Sequence, residues 1–214
     1  MVQGRGKFIT VEGIEGAGKS SNLDFMQQLL EAQGISVVRT REPGGTALGE
    51  EIRKLLLGHR HTGMSRDTEL LLMFGARAEH IARVIEPGLA SGAWVLCDRF
   101  TDASYAYQGG GRGIDRERIR VLETWVQGSL RPDITLLLDL PVADGLMRAG
   151  KRSEPDRFER EKESFFNRVR NCYLEIARAS PERVHVIDAT PRLPDVQVHI
   201  EQLLREFIQV STRA

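Results

Sequence analysis

Two cysteines in 214 residues are too few for a disulfide-stapled scaffold, and they form no zinc-type spacing. Cys97 lies in an apolar run and Cys172 in a helical pattern, so both read as buried thiols. The five histidines are scattered, and the nearest pair, His59 and His61, stands in a polar loop where no metal centre is expected. There is no basic excess: Lys plus Arg equals Asp plus Glu at 30 each. That balance argues against a broad nucleic-acid surface but leaves room for a local anion site. No run approaches the roughly 18 to 20 apolar residues of a membrane span, and the opening MVQGRGK has no apolar core of a signal peptide, so a soluble, cytoplasmic protein is expected. Internal repeats, low-complexity tracts and Pro/Gly/Ser linkers are also missing, which predicts one domain over residues 1–214.

What is present is alternation of short β-rich runs with longer helical patterns. KFITVEG (Lys7 to Gly13), ISVVRTRE, AWVLCD (Ala93 to Asp98), DITLLLDL (Asp133 to Leu140) and RVHVIDA (Arg183 to Ala189) read as strands. Helices are predicted from about Lys19 to Gln33, near Thr46 to Leu57, and as one long helix from Asp67 to about Leu89. Short apolar strands separated by helices imply βαβ units: an α/β fold with five parallel strands and helices on both faces. Two segments stand outside this scheme, TDASYAYQGGGRG with its glycine run and the densely charged RAGKRSEPDRFEREKE.

The stretch Gly13-Ile14-Glu15-Gly16-Ala17-Gly18-Lys19-Ser20 satisfies G-x-x-x-x-G-K-[ST] between a predicted strand and a predicted helix. Its glycines let successive N–H groups face phosphate oxygens, and the following helix adds its positive end. Lys19 is expected on the β- and γ-phosphates and the Ser20 hydroxyl on Mg²⁺. The acid that completes such a site ends a neighbouring strand. Asp98 is preferred, because CDRF continues into an arginine able to hold a second anion, with Asp139 as the other candidate. Neither the N-K-x-D of guanine-reading switches nor L-S-G-G-Q occurs. Two carboxylates at a phosphate loop, Glu12 and Glu15, call for an explanation.

The motifs EGIEGAGKS, TREPGGT, MFGARAEH, CDRF, AYQGGGRG, RPDITLLLDL and DRFE, in that order over nearly the whole chain, resemble the bacterial thymidylate kinases. The resemblance implies a P-loop NTPase fold with a short lid, and transfer of the ATP γ-phosphoryl group to dTMP with Mg²⁺. Kinases for another nucleotide or a deoxynucleoside are the nearest alternative, and a P-loop switch or ATPase serving a macromolecular partner is the alternative of a different class. It implies that Arg53 and Arg99 hold the acceptor phosphate and that Asp98 fixes Arg99 or the magnesium shell through water. Phe74 would stack on the base, with Met73 the alternative one residue away, and Arg77 would reach the carbonyl edge. Ser104 and Gln108 match the polar groups at the far edge, and Tyr107 the aromatic beneath the sugar, where it would crowd a ribose 2′-hydroxyl. Residues about 148–160 match the lid. The P-loop has no arginine, so the resemblance assigns the catalytic arginine to the lid: Arg152 first, with Arg148 and Arg157 on the phosphate or adenine side. Gly150 departs from members of that class that carry another arginine there. Glu15 would serve the acceptor 3′-hydroxyl or magnesium-bound water, while Glu12 is left outside the site as strand-end support. A homodimer is the family's usual state.

Overall fold

The computed structural model describes residues 4–61, 63–150 and 156–213. Five strands, β1 (Phe8–Glu12), β2 (Val37–Arg41), β3 (Trp94–Asp98), β4 (Ile134–Asp139) and β5 (Val184–Asp188), form one parallel sheet in the order β2-β3-β1-β4-β5. All five predicted strands are present, each trimmed by one to three residues where the chain turns out of the ladder.

Between and after the strands run α1 (Lys19–Ala32), α2 (Ala47–Leu57), α3 (Arg66–His80), α4 (Glu86–Ala90), α5 (Thr101–Ser104), α6 (Arg116–Gln127), α7 (Val142–Ala149), α8 (Glu163–Ala179) and α9 (Leu193–Arg213). Side-chain alternation along the central strands sends apolar groups to both faces. Phe8, Val95 and Cys97 pack with Ile81, Ile85 and Leu89 on one side. Ile9, Val11 and Leu96 join Leu23, Met26 and Leu30 of α1 and Ile200 and Leu204 of α9 in the larger core. Both cysteines are buried thiols, as the sequence suggests.

The long helix is continuous but not uniform. It passes from α3 through a π-helical turn at Ile81–Ile85 into α4. Pro87 is the second residue of α4, and a proline cannot donate to the carbonyl four residues back. A second π-helical turn, Tyr105–Gly111, follows α5 and carries the glycine run. It packs along α8, where Gly110 and Gly111 leave no room for a Cβ against Cys172 and Phe165. That contact holds the segment after β3 over the carboxyl ends of β1 and β3.

Candidate active site

In a parallel sheet of this kind ligands lie beyond the carboxyl ends of the strands, where the strand order reverses. Here the reversal is at β1, with β3 on one side and β4 on the other. Residues 13–18 leave β1 and turn tightly into α1. Gly16 has φ 75°, a left-handed value, and a Cβ there would lie 1.9 Å from the Gly145 carbonyl oxygen of α7. Ile14 and Ala17 are buried beneath the loop. Lys19 curls back, its Nζ donating to the carbonyls of Gly13 and Ile14, both at 3.1 Å. Desolvation, with Arg99 as a second cation, pulls the Lys19 pKa down to about 8 against the attraction of Asp98, Glu15 and Glu12.

One cleft joins this loop to the segment after β3. Glu15, Lys19 and Ser20 line it from the loop, and Asp98 and Arg99 from the end of β3. Arg53 of α2, Arg77 of α3, and Ser104, Tyr107 and Gln108 beyond β3 complete the wall. Asp98 is paired in register with Val11 of β1, and its Oδ1 is buried with no hydrogen-bond partner among the described residues. Asp139 is engaged elsewhere, accepting from Arg170 through both oxygens at 2.7 and 2.8 Å.

Arg99 sits at φ 70°, the one non-glycine residue with a left-handed backbone among those described. Such a conformation costs about 1–2 kcal/mol, and the surroundings hold it in place. The Arg99 N–H donates to the Val11 carbonyl at 3.0 Å, Nη2 to Glu15 Oε1 at 3.0 Å and Nη1 to the Tyr173 hydroxyl at 3.1 Å. The guanidinium lies 4.7 Å over the Tyr107 ring, whose hydroxyl donates to both Glu15 oxygens at 2.8 Å. Glu15 is therefore tied to Arg99 and Tyr107, on the side of the loop that faces the segment after β3. Burial and the nearby Glu15 carboxylate keep Tyr107 protonated, its pKa well above the usual phenol value. Arg53 is anchored by Nη1 to the Pro43 carbonyl at 2.8 Å.

Arg77 is 3% exposed and nearly saturated: Nε donates to Glu42 at 2.7 Å, and Nη2 to the Phe100 carbonyl and Ser104 Oγ at 3.2 and 3.0 Å. Its Nη1 is buried without a partner among the described residues. A guanidinium fixed through Nε and Nη2, with the NH₂ of Nη1 left over, is a built donor, not a loose cation.

The expectation for Phe74 needs correction. Its ring is 2% exposed, packs with Leu70, Ile114 and Ile119, and lies under the Arg77 guanidinium at 4.6 Å. Met73, one residue earlier, lines the cleft together with Phe100. Arg157 is also placed differently from the phosphate or adenine side suggested for it. It pairs with the buried Glu69 at 2.7 Å, and its Nε donates to the Leu56 carbonyl at 2.7 Å. Arg148 extends from the end of α7 to the carbonyls of Ala189 and Thr190 after β5. Arg152 lies outside the described residues.

Three residues given no role in the cleft from the sequence shape it. Glu42, 5% exposed, orients Arg77 and meets His80 Nδ1 at 2.9 Å. Glu12 accepts from the Phe100 N–H and the Tyr173 hydroxyl, both at 2.7 Å, so it supports Arg99 from behind. Burial above all, and Asp102 next, raises the Glu12 pKa to about 7. Glu42 stands inside TREPGGT and Glu12 at a strand end, but their partners are 35 to 161 positions away. Tyr173 had no sequence signal beyond an amphipathic helix.

A thymidylate kinase family model matches residues 11–200. The thymidylate kinase of Pseudomonas syringae pv. tomato is 58% identical over 206 residues, covering 96% of this chain and 98% of that protein. That of Pseudomonas putida is 58% identical over 204 residues, 95% and 97% of the two chains. The crystal structure of thymidylate kinase from Ehrlichia chaffeensis superposes with a TM-score of 0.76 at 35% identity, covering 94% of this chain and 99% of that one. Among the described residues no helix is long and apolar enough to cross a membrane. With relatives this similar along almost its full length, and a phosphate loop at the head of the matched region, the chain belongs to the thymidylate kinase family.

Proposed function

We propose that this chain transfers the γ-phosphoryl group of ATP to dTMP, forming dTDP. The observation that carries the reading is a single cleft in which the P-loop shares its walls with a second pair of cations, Arg53 and Arg99. Two polyanions must be brought into line for such a transfer, and positioning plus charge stabilisation is nearly all the protein has to supply. The N–H groups of residues 13–20 and Lys19 hold the donor phosphates. Arg53 and Arg99 hold the acceptor phosphate so that its oxygen attacks and ADP leaves. Met73 and Phe100 give the base an apolar face, Arg77 Nη1 donates to its carbonyl edge, and Ser104 and Gln108 border it. Tyr107 would crowd a ribose 2′-hydroxyl, and Glu15 accepts from the deoxyribose 3′-hydroxyl or from magnesium-bound water.

Magnesium, when bound, draws charge from the phosphate oxygens as the phosphoryl group moves. Ser20 and Asp98 suit it: both line the cleft, both offer oxygen, and the unpartnered Asp98 Oδ1 is the buried acceptor such an ion or its water needs. Among the described residues there is no cluster of three metal-binding side chains, which fits an ion held mostly by phosphates and water. The lid at about 148–160 supplies Arg152 to the equatorial oxygens, and Arg148 serves the adenine side. Arg157 anchors the far end of the lid.

We read the chain as one kinase domain over residues 1–214, with the acceptor segment at about 99–113, working in the cytoplasm. The homodimer reading is supported by apolar side chains left in water: Trp125 at 81% exposure, Val121 on the same face of α6, and Leu71 on the adjoining α3. Light scattering on the purified chain would give the dimer mass, and a monomer at micromolar concentration would overturn it. The activity is tested by ADP release with dTMP, against dUMP, AMP and thymidine. Best turnover with thymidine, or ADP release without any small acceptor, would refute the assignment.

A further inference from the structure

Behind the cleft lies a buried polar cluster that phosphoryl transfer does not use. Glu69, in the first turns of α3 and 1% exposed, is its centre. Arg112 Nε donates to its Oε1 at 3.2 Å, and Arg157 Nη2 stands 2.7 Å from its Oε2. The same Oε1 receives Nε2 of Gln108 at 3.0 Å, and Gln108, 1% exposed, is a wall of the cleft.

The chemistry fixes which way the Gln108 amide faces. A carboxylate paired with two guanidiniums accepts hydrogen bonds and cannot donate one. If the amide were turned over, its carbonyl oxygen would face Glu69 Oε1 at hydrogen-bond distance with no proton between them. In a buried setting that repulsion is costly. The NH₂ end is therefore committed to Glu69, and the carbonyl end is the one left for the cleft. Arg77, whose buried Nη1 is a donor without a partner among the described residues, lines the same cleft from α3 two helical turns beyond Glu69. The wall thus presents one fixed donor and one fixed acceptor. Thymine and uracil carry the complement, a carbonyl beside an N3–H. Cytosine carries the reverse, an amino group beside a bare N3.

We infer that Glu69 is a positioning residue for base choice: by holding the Gln108 amide in one orientation, it makes the site select a pyrimidine with a protonated N3 and reject cytosine. This rests on the proposed dTMP kinase activity and names a residue that touches neither substrate. Rejection arises because the wrong base leaves two buried polar groups facing like groups, the situation in which hydrogen-bonding sites discriminate most strongly.

The test compares kcat/KM for dTMP and dCMP in the full-length protein. Glu69→Gln offers Gln108 an amide that can donate as well as accept, so the Gln108 orientation is no longer enforced. The dTMP:dCMP ratio falls at least about tenfold, the equivalent of 1.4 kcal/mol, with the loss in KM for dTMP and the KM for ATP unchanged. Glu69→Asp keeps the charge against Arg112 and Arg157 but withdraws the oxygen from Gln108, and it moves the ratio the same way should the amide variant fail to fold. Gln108→Met removes the reader itself, and combining it with Glu69→Asp produces no further change in the ratio. A folded Glu69 variant that discriminates like the parent, or additive effects in the double variant, would overturn the inference. Failure of the unaltered protein to phosphorylate dTMP would instead remove the function on which it rests.

Discussion

The contact between Gly145 of α7 and the phosphate loop sets two known effects against each other. Gly145 is an interior helix residue, and alanine is favoured over glycine there by about 1 kcal/mol. On propensity alone Gly145→Ala would stabilise the protein. A Cβ at this position, however, falls 2.6 Å from the Glu15 carbonyl oxygen and 3.0 Å from Ile14 Cδ1. The first of these is backbone, so no side-chain rotation relieves it. Overpacking of this kind costs about 1–3 kcal/mol, and a backbone clash belongs at the upper end. The strain should exceed the propensity gain, leaving a net loss of about 1–2 kcal/mol and a fall in Tm of roughly 2–8 °C for a chain of this size. Relief requires the loop to move away from α7, which displaces the N–H groups that face the phosphates. The KM for ATP should therefore rise several-fold to tenfold, a tenfold change matching about 1.4 kcal/mol of loop displacement. Thermal melting with and without an ATP analogue, together with initial rates at varied ATP, measures both effects. A variant that melts above the parent with an unchanged KM for ATP would show that the loop and α7 do not constrain each other.

The depressed Lys19 gives a pH signature: its ammonium is neutralised above about 8, so kcat/KM for ATP should fall about tenfold per pH unit beyond that point. A profile flat to pH 10 would contradict it. For Glu12 the folded value, about 7, lies above the ordinary 4.5, so its stabilising contribution is complete below 4.5 and lost as pH rises through 7. The rise corresponds to about 3 kcal/mol; urea midpoints at pH 5 and pH 8 should differ accordingly in the parent and much less in Glu12→Gln, and equal slopes would refute the assignment. Arg152→Ala should lower kcat by about 10³-fold with dTMP affinity preserved, since a cis-supplied arginine acts on transition-state charge. A loss confined to dTMP binding would move Arg152 out of the transfer step.

How far the site was legible in the sequence follows from how local its physics is. The strands could be read because buried parallel strands are short continuous apolar runs, and Phe8–Glu12 or Ile134–Asp139 has hardly any other use. The phosphate loop could be read because its function depends on backbone geometry within eight consecutive residues. Phe74 and Met73 could not be separated on such grounds. Relative to Arg77, one lies three residues away and the other four, so each is displaced from it by a similar angle on the helix. Which one meets the cleft depends on Ile114 and Ile119, which cover Phe74 from 40 or more positions away. The charged stretch after α7 has the same difficulty. Its arginines look alike in sequence, but Arg157 is drawn out of the phosphate field by Glu69, a carboxylate 88 residues earlier that had no reason to be noticed.

The loop carboxylates follow from the same reasoning. A negative charge at Glu15 would oppose two incoming polyanions if it stood alone. Its bonds to Arg99 and Tyr107 place it instead among groups that must themselves be ordered before a second phosphate can be held. Glu12 supports that order from the strand through Tyr173 and the Phe100 N–H, and so helps to keep Arg99 in its left-handed backbone conformation. On the proposed reading the acids of the loop therefore work on the acceptor clamp, and the donor phosphates are left to the backbone and Lys19. Such a division is needed where one short turn must face two anions at once.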